Sequence, residues 1–264
     1  MNFLPKRWMG LGLGAALIGA ASLSACGGES GEAGAPVAAQ SADGAPVGQG
    51  EGGEGGEGEG AFPRLDAAAG LPVEKRLAFI SGHVAAGLAL YRAGAAGEAA
   101  PHLLHPVSET HADERAGLDA IGFKPEVFEQ LSAALEAGKP AEEIEPLLTE
   151  AEANLKAMRE AAGGAPKDII EYLMKTTADE YDAGVDNGEV VNAGEFQDAY
   201  GFAVVARDIA SAQDPAVYGD LKLELELLVL MWTGKAPLAA STPAPEAQMA
   251  LQLARVKTAL ASLP

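Results

Sequence analysis

The sequence predicts an all-α protein, a helical bundle of about seven or eight helices carried behind a Gly- and Glu-rich tether. Three observations lead there. Beyond about residue 61, apolar residues recur at three- and four-residue spacing, the period of a helix face and not of a strand. Ala, Leu and Glu, all good helix formers, dominate that region. Pro and Gly stand at the starts and stops of the periodic stretches, where they punctuate helices.

The first element is a leader. Lys6 and Arg7 precede the apolar run "MGLGLGAALIGAASL", and small residues follow in "LSAC" (Leu23, Ser24, Ala25, Cys26). A positive start, a short apolar core and small residues before a cut are the marks of a secretory signal. The "LSAC" stretch resembles the bacterial lipobox. That resemblance implies a signal peptide over residues 1–25, cleavage before Cys26 and a lipid on its sulfur. Two or three acyl chains hold a protein stably at a membrane. Cys26 is the single cysteine, so no disulfide is expected in the mature chain. Gly27 instead of an aspartate follows it, which by the same resemblance implies the outer membrane, facing the periplasm.

Residues 26–61 form the tether. The run "GEGGEGGEGEGA" and the residues before it contain no aromatic and no basic group, and nothing there offsets ordering entropy. A Gly-rich coil of this length reaches roughly 30–35 Å.

Residues 62–264 are the helical domain, long enough for one real core. "LPVEKRLAFISGHVAAGLALYRAG" carries Leu77, Ile80, Val84, Leu88 and Tyr91 on one stripe and stops at Gly94. "KPEVFEQLSAALEAGK" starts at Pro125 and stops at Gly138. "AEEIEPLLTEAEANLKAMREAAGG" ends at Gly163 and Gly164, and "APKDIIEYLMKTTADEYDAGV" again opens on proline. In "VVNAGEFQDAYGFAVVARDIASA", Asn192 reads as an N-cap with Glu195 three residues on and Val191 placed to staple onto Phe196. "DPAVYGDLKLELELLVLMW" and "PAPEAQMALQLARVKTALASL" complete the bundle.

Candidate chemistry gathers in one place. All four histidines, His83, His102, His105 and His111, fall within residues 83–111. His102 and His105 are three apart and share a helical face. A hairpin turning at Gly94 would return them against His83, whose neighbours Gly82, Ala85, Ala86 and Gly87 admit a close helix. Pro106 ends that turn, Ser108 starts the next, and Glu109 and His111 follow. Imidazoles with a carboxylate suit a divalent transition metal such as zinc or iron. The expected ligands are His83, His102 and His105, with Glu109 as fourth ligand or as a group that supports the ligands from behind, and His111 as an alternative. The competing reading makes these histidines structural.

Around residues 180–206, "EYDAGVDNGEVVNAGEFQDAYGFAVVA" resembles the periplasmic helical region of bacterial iron-permease proteins. Tyr181, Val185, Gly188, Val190, Asn192, Glu195, Phe196, Asp198, Ala199 and Phe202 carry the likeness, and Gly184 departs from it. The resemblance implies a related helical domain in envelope metal uptake and transfers no metal ligand. Imelysin-type envelope lipoproteins are similar in kind, but their G-x-H-x-x-E pattern is not met, since Gly82 directly precedes His83 and residue 86 is Ala.

Acidic groups number 38 against 18 basic ones, and no basic stripe exists to hold nucleic acid. No nucleophile triad, phosphate loop, dinucleotide-binding glycine pattern or haem site is present, so no enzyme is expected. "DAGVDNGEVVNAGE" lacks the ligand ladder of a calcium loop and reads as a turn and cap. The expectation is a lipid-anchored envelope protein that binds a divalent metal for uptake or homeostasis, working with an envelope metal transporter. The alternative is a non-catalytic scaffold that binds an envelope partner protein.

Overall fold

The structure, a computed structural model, describes residues 70–108, 115, 117–234 and 236–264. The leader, Cys26, the tether, Glu109 and His111 lie outside the described residues.

Eight α-helices are present among the described residues: α1 (Val73–Arg92), α2 (Ala96–Leu104), α3 (Pro125–Glu136), α4 (Ala141–Ala162), α5 (Pro166–Gly184), α6 (Ala193–Ser211), α7 (Pro215–Val229) and α8 (Glu246–Ala261). Short 3-10 turns occupy His105–Val107 and Asp119–Ile121. The expected all-α bundle is what forms. "LKLELELLVL", whose first half alternates like a strand, lies in α7. Pro146 falls inside α4, in its second turn.

The one departure from helix is small. Between α5 and α6, β1 (Val185–Asp186) and β2 (Glu189–Val190) pair antiparallel. Asn187 and Gly188 at the bend both have positive φ, 52° and 77°, the conformation that two-residue hairpin loops demand. The hairpin hands the chain to α6 at Asn192, whose side-chain oxygen accepts from the Gly194 amide at 3.1 Å. Val191 is left largely exposed, and the backbone amides of Val191 and Asn192 both donate to the Gly184 carbonyl, at 2.9 and 3.2 Å. The Trp232 indole, beyond α7, donates to the Phe196 carbonyl in the first turn of α6.

Two apolar clusters build the core. One gathers the inner faces of α5 to α8 around Leu173, Phe196, Phe202, Leu225 and Val256. The other joins α1 to α4 around Ile80, Leu103, Phe128, Leu131 and Leu148. α1 serves both: Ala78 belongs to the first cluster, while Leu77, Ile80, Val84 and Leu88 belong to the second. Residues 77, 78, 80–84 and 86–88 are buried, which makes α1 a central helix and explains why its apolar residues are not confined to one stripe.

Contact between α1 and α6 depends on two glycines. A Cβ added to Gly201 would lie 2.0 Å from the Gly82 carbonyl oxygen and 3.0 Å from the Ala86 nitrogen. A Cβ on Gly82 would meet the Phe202 ring at 2.0 Å. Backbone therefore touches backbone at the crossing, and no side-chain movement relieves an added methyl. Gly201→Ala is expected to cost about 3 kcal/mol or more through overpacking. A denaturant titration with an unchanged slope would measure it, and a loss near zero would contradict the crossing.

Candidate metal centre

The glycine crossing positions the first two functional groups. His83 directly follows Gly82 on α1, and Asp198 sits one turn before Gly201 on α6. At the crossing, His83 Nδ1 lies 2.7 Å from Asp198 Oδ1. The third group arrives by the hairpin. α2 turns back after Gly94 and seats on α1 at Gly87, where a Cβ would lie 2.6 Å from Leu103 Cγ. That contact brings the neighbouring His102 to the same carboxylate, with its Nδ1 2.9 Å from Asp198 Oδ1. Both rings and the acid are buried.

A second layer fixes His102. Its Nε2 stands 2.8 Å from Gln197 Oε1. The Gln197 amide nitrogen donates to Glu98 Oε2 at 2.6 Å, and the same oxygen accepts the Ala239 backbone amide at 2.9 Å. A carboxylate only accepts, so Glu98 dictates which end of the Gln197 amide faces it. The amide oxygen then faces His102, and Nε2 must donate to it. His102 Nδ1 is thereby aimed at Asp198. A surface cleft of about 250 Å³, bordered by Glu98, Pro101, His102, Asn192 and Gln197, opens onto this side.

His105 takes a different place. Its ring lies flat on that of His83, with centroids 3.7 Å apart and planes 13° from parallel. Phe79 meets His83 and His105 edge-on, and Phe202 also meets His83 edge-on. The hairpin thus brings all three described histidines together, but His105 packs against a ring and does not join the donor group. His83 Nε2, deeply buried, has no hydrogen-bond partner among the described residues.

Among the described residues, His83, His102 and Asp198 form a group that could hold a metal ion, with one ligand atom from each and all three atoms within 4.8 Å of one another. Two imidazoles and a carboxylate are the donor set of a borderline dication. Asp198 is the residue that the histidine pattern alone does not reveal. It lies 87 positions beyond His111, and only an acid on the buried face of an apolar helix could have marked it. Burial disfavours the Asp198 charge, but the charges and hydrogen bonds of His83 and His102 outweigh this and hold the carboxyl well below the usual carboxylate range.

One turn away along α6, Glu195 faces Glu180 of α5. Glu180 is 1% exposed, and its carboxyl is pushed up to about 12. Burial is the main cause; the hydrogen bond that the protonated Glu180 carboxyl donates to Glu195 and the charges of Glu195 and Asp198 add to it. Glu180 holds its proton because its carboxyl is buried beside a second carboxyl.

Residues 164–262 match the iron permease-associated 4-helix bundle domain. The match runs from the residue pair before α5 to the end of α8 and supports the resemblance read at residues 180–206. It contains Asp198, Glu180 and Glu195 and leaves His83 and His102 outside. No curated protein and no solved structure matches the chain.

Folded, Glu180 keeps its proton far above the pH at which an unfolded glutamate, ordinary value 4.5, releases it. Between those limits the native state binds the extra proton, so its stability falls as pH rises. Glu180→Gln is therefore expected to raise the melting temperature of metal-free protein by several degrees at about pH 8, with the gain fading towards about pH 4. Calorimetry at both pH values checks this, and an unstabilised variant at the higher one contradicts it.

Proposed function

We propose that this protein is an envelope lipoprotein of iron transport that binds a divalent transition metal, iron or zinc, at His83, His102 and Asp198, and that it carries or buffers the ion without transforming it. One observation carries the reading: two imidazole nitrogens from α1 and α2 converge on a single carboxylate oxygen of α6. The match of α5 to α8 to a domain associated with iron permeases supports the transport role and an iron transporter as partner. No helix among the described residues is long and apolar enough to cross a membrane; the lipobox-like "LSAC" is what supports attachment through lipid on Cys26.

The donors fit an ion by their chemistry. Metal–nitrogen and metal–oxygen bonds of about 2.0–2.2 Å need ligand atoms slightly farther apart than hydrogen-bonded ones. Separations of 2.7 and 2.9 Å are thus close to a coordination shell in which the ion replaces the Nδ1 protons. The Glu98–Gln197 pair already holds the other nitrogen of His102 as a donor, an arrangement that fixes a ligating imidazole in register. The cleft beside His102 gives the ion its approach.

A scaffold role has one observation in its favour. Leu223, Leu227 and Leu230 stand exposed at four- and three-residue spacing along α7, Leu230 at 73%. Such a face suits an apolar partner surface.

Calorimetric titration with Fe²⁺ under anaerobic conditions and with Zn²⁺ tests the metal reading. One ion per chain is expected at this site. Asp198→Asn and His102→Ala should each weaken it by at least about 100-fold, and Gln197→Ala by about 10-fold. Binding should also weaken on acidification from about pH 7.5 to 5.5, because protons compete for the same nitrogens. Equal affinity in wild type and Asp198→Asn would leave the scaffold reading standing.

A further inference from the structure

The second buried acid pair has a construction of its own. Gly184 closes α5, and a Cβ there would lie 2.5 Å from the Phe196 backbone nitrogen and 2.8 Å from its Cα. α5 and α6 therefore meet backbone to backbone at this point. Glu180 lies one turn before Gly184 and Glu195 directly precedes Phe196, so the crossing drives their carboxyls together inside the core. Glu180 is 1% and Glu195 8% exposed. One Glu180 oxygen serves the hydrogen bond with Glu195, while its Oε2, fully buried, has no hydrogen-bond partner among the described residues. Asp198 follows Glu195 by three positions and lies on the same face of α6, about 5–6 Å along.

This arrangement is expensive for a fold that gains nothing from it. An unsatisfied buried carboxyl oxygen costs of the order of 1–3 kcal/mol, and paired buried acids add repulsion. Leucine or glutamine would fill the same volume at lower cost. Neighbouring hydroxyls do not relieve it: Thr176 and Thr177 donate to the carbonyls of Tyr172 and Leu173 in their own helix. An orphaned oxygen beside a second buried carboxyl is the form of a cation site.

We propose that Glu180 and Glu195 form a second cation site, built only from oxygen donors and separate from the histidine site, which takes a hard divalent ion such as Mn²⁺. Carboxylate oxygens without nitrogen favour hard cations over zinc. Two glutamates offer up to four oxygens, Oε2 of Glu180 among them. When the cation enters, the Glu180 proton leaves to solvent, and both Glu180 oxygens become free to ligate. Asp198, one turn along α6, couples this site to the histidine centre through its own charge. The proposal does not require the histidine site to bind metal, since no donor is shared.

Mn²⁺ is the probe, with free ion followed by electron paramagnetic resonance on the full chain. Wild type is expected to bind Mn²⁺, and Glu180→Gln/Glu195→Gln to bind it at least about 100-fold more weakly, while keeping its Zn²⁺ affinity at the histidine site. His102→Ala should show the converse. Glutamine conserves shape and removes repulsion, so circular dichroism and melting should show a folded double variant. Should it not fold, Glu180→Gln alone is expected to lower Mn²⁺ affinity by at least about 10-fold. Mn²⁺ binding that is absent from wild type, or equal in wild type and the glutamine variants, overturns the proposal. Loss of Zn²⁺ binding alone would overturn only the histidine site.

Discussion

Contact of α1 with α6 at Gly82 and Gly201 is the constraint from which the rest of the site follows. Two helices that pack through larger side chains stand about 8–10 Å apart. At this crossing the missing Cβ atoms let backbone meet backbone, and His83 and Asp198, one position and one turn from the two glycines, come within hydrogen-bond reach. The same device recurs twice. Gly87 lets α2 settle on α1 and delivers His102, and Gly184 lets α5 approach α6 and delivers Glu180. His83, His102 and Glu180 each owe a close partner to such a glycine contact.

These close contacts set an electrostatic problem in a low-dielectric interior. Asp198 is solved by two imidazoles on one oxygen, and the Glu98–Gln197 pair commits His102 to that role. Glu180 is solved only by keeping a proton. Glu195 and Asp198 lie three positions apart on one face of α6, Asp198 meeting His83 of α1 and His102 of α2, and Glu195 meeting Glu180 of α5.

The division of the core has a functional parallel. The segment matching the iron permease-associated bundle supplies the carboxylates, and the preceding helices supply the imidazoles. A four-helix bundle of α5 to α8 alone would hold Asp198 without its histidines. The added half thus completes a donor set that the matched bundle does not contain, and α1, packed into both apolar clusters, is the element that joins the halves.

Much of this was legible in the chain itself. Helical period, proline starts, glycine stops and the Asn192 cap determined the all-α class and most helix limits, because those signals act within a few residues and need no partner. Clustering of the histidines, with the Gly94 turn between them, also marked His83 and His102 as neighbours. What only tertiary structure decided was which groups they meet. Asp198 and Gln197 lie 96 and 95 residues beyond His102, and Gln197 lies 99 beyond Glu98, while His105, equal to its neighbours in sequence, turns its ring flat against His83. The reason is physical: local pattern records the period of a helix, whereas the identity of a buried contact depends on helix crossings, and here those crossings are set by absent side chains that leave no periodic trace.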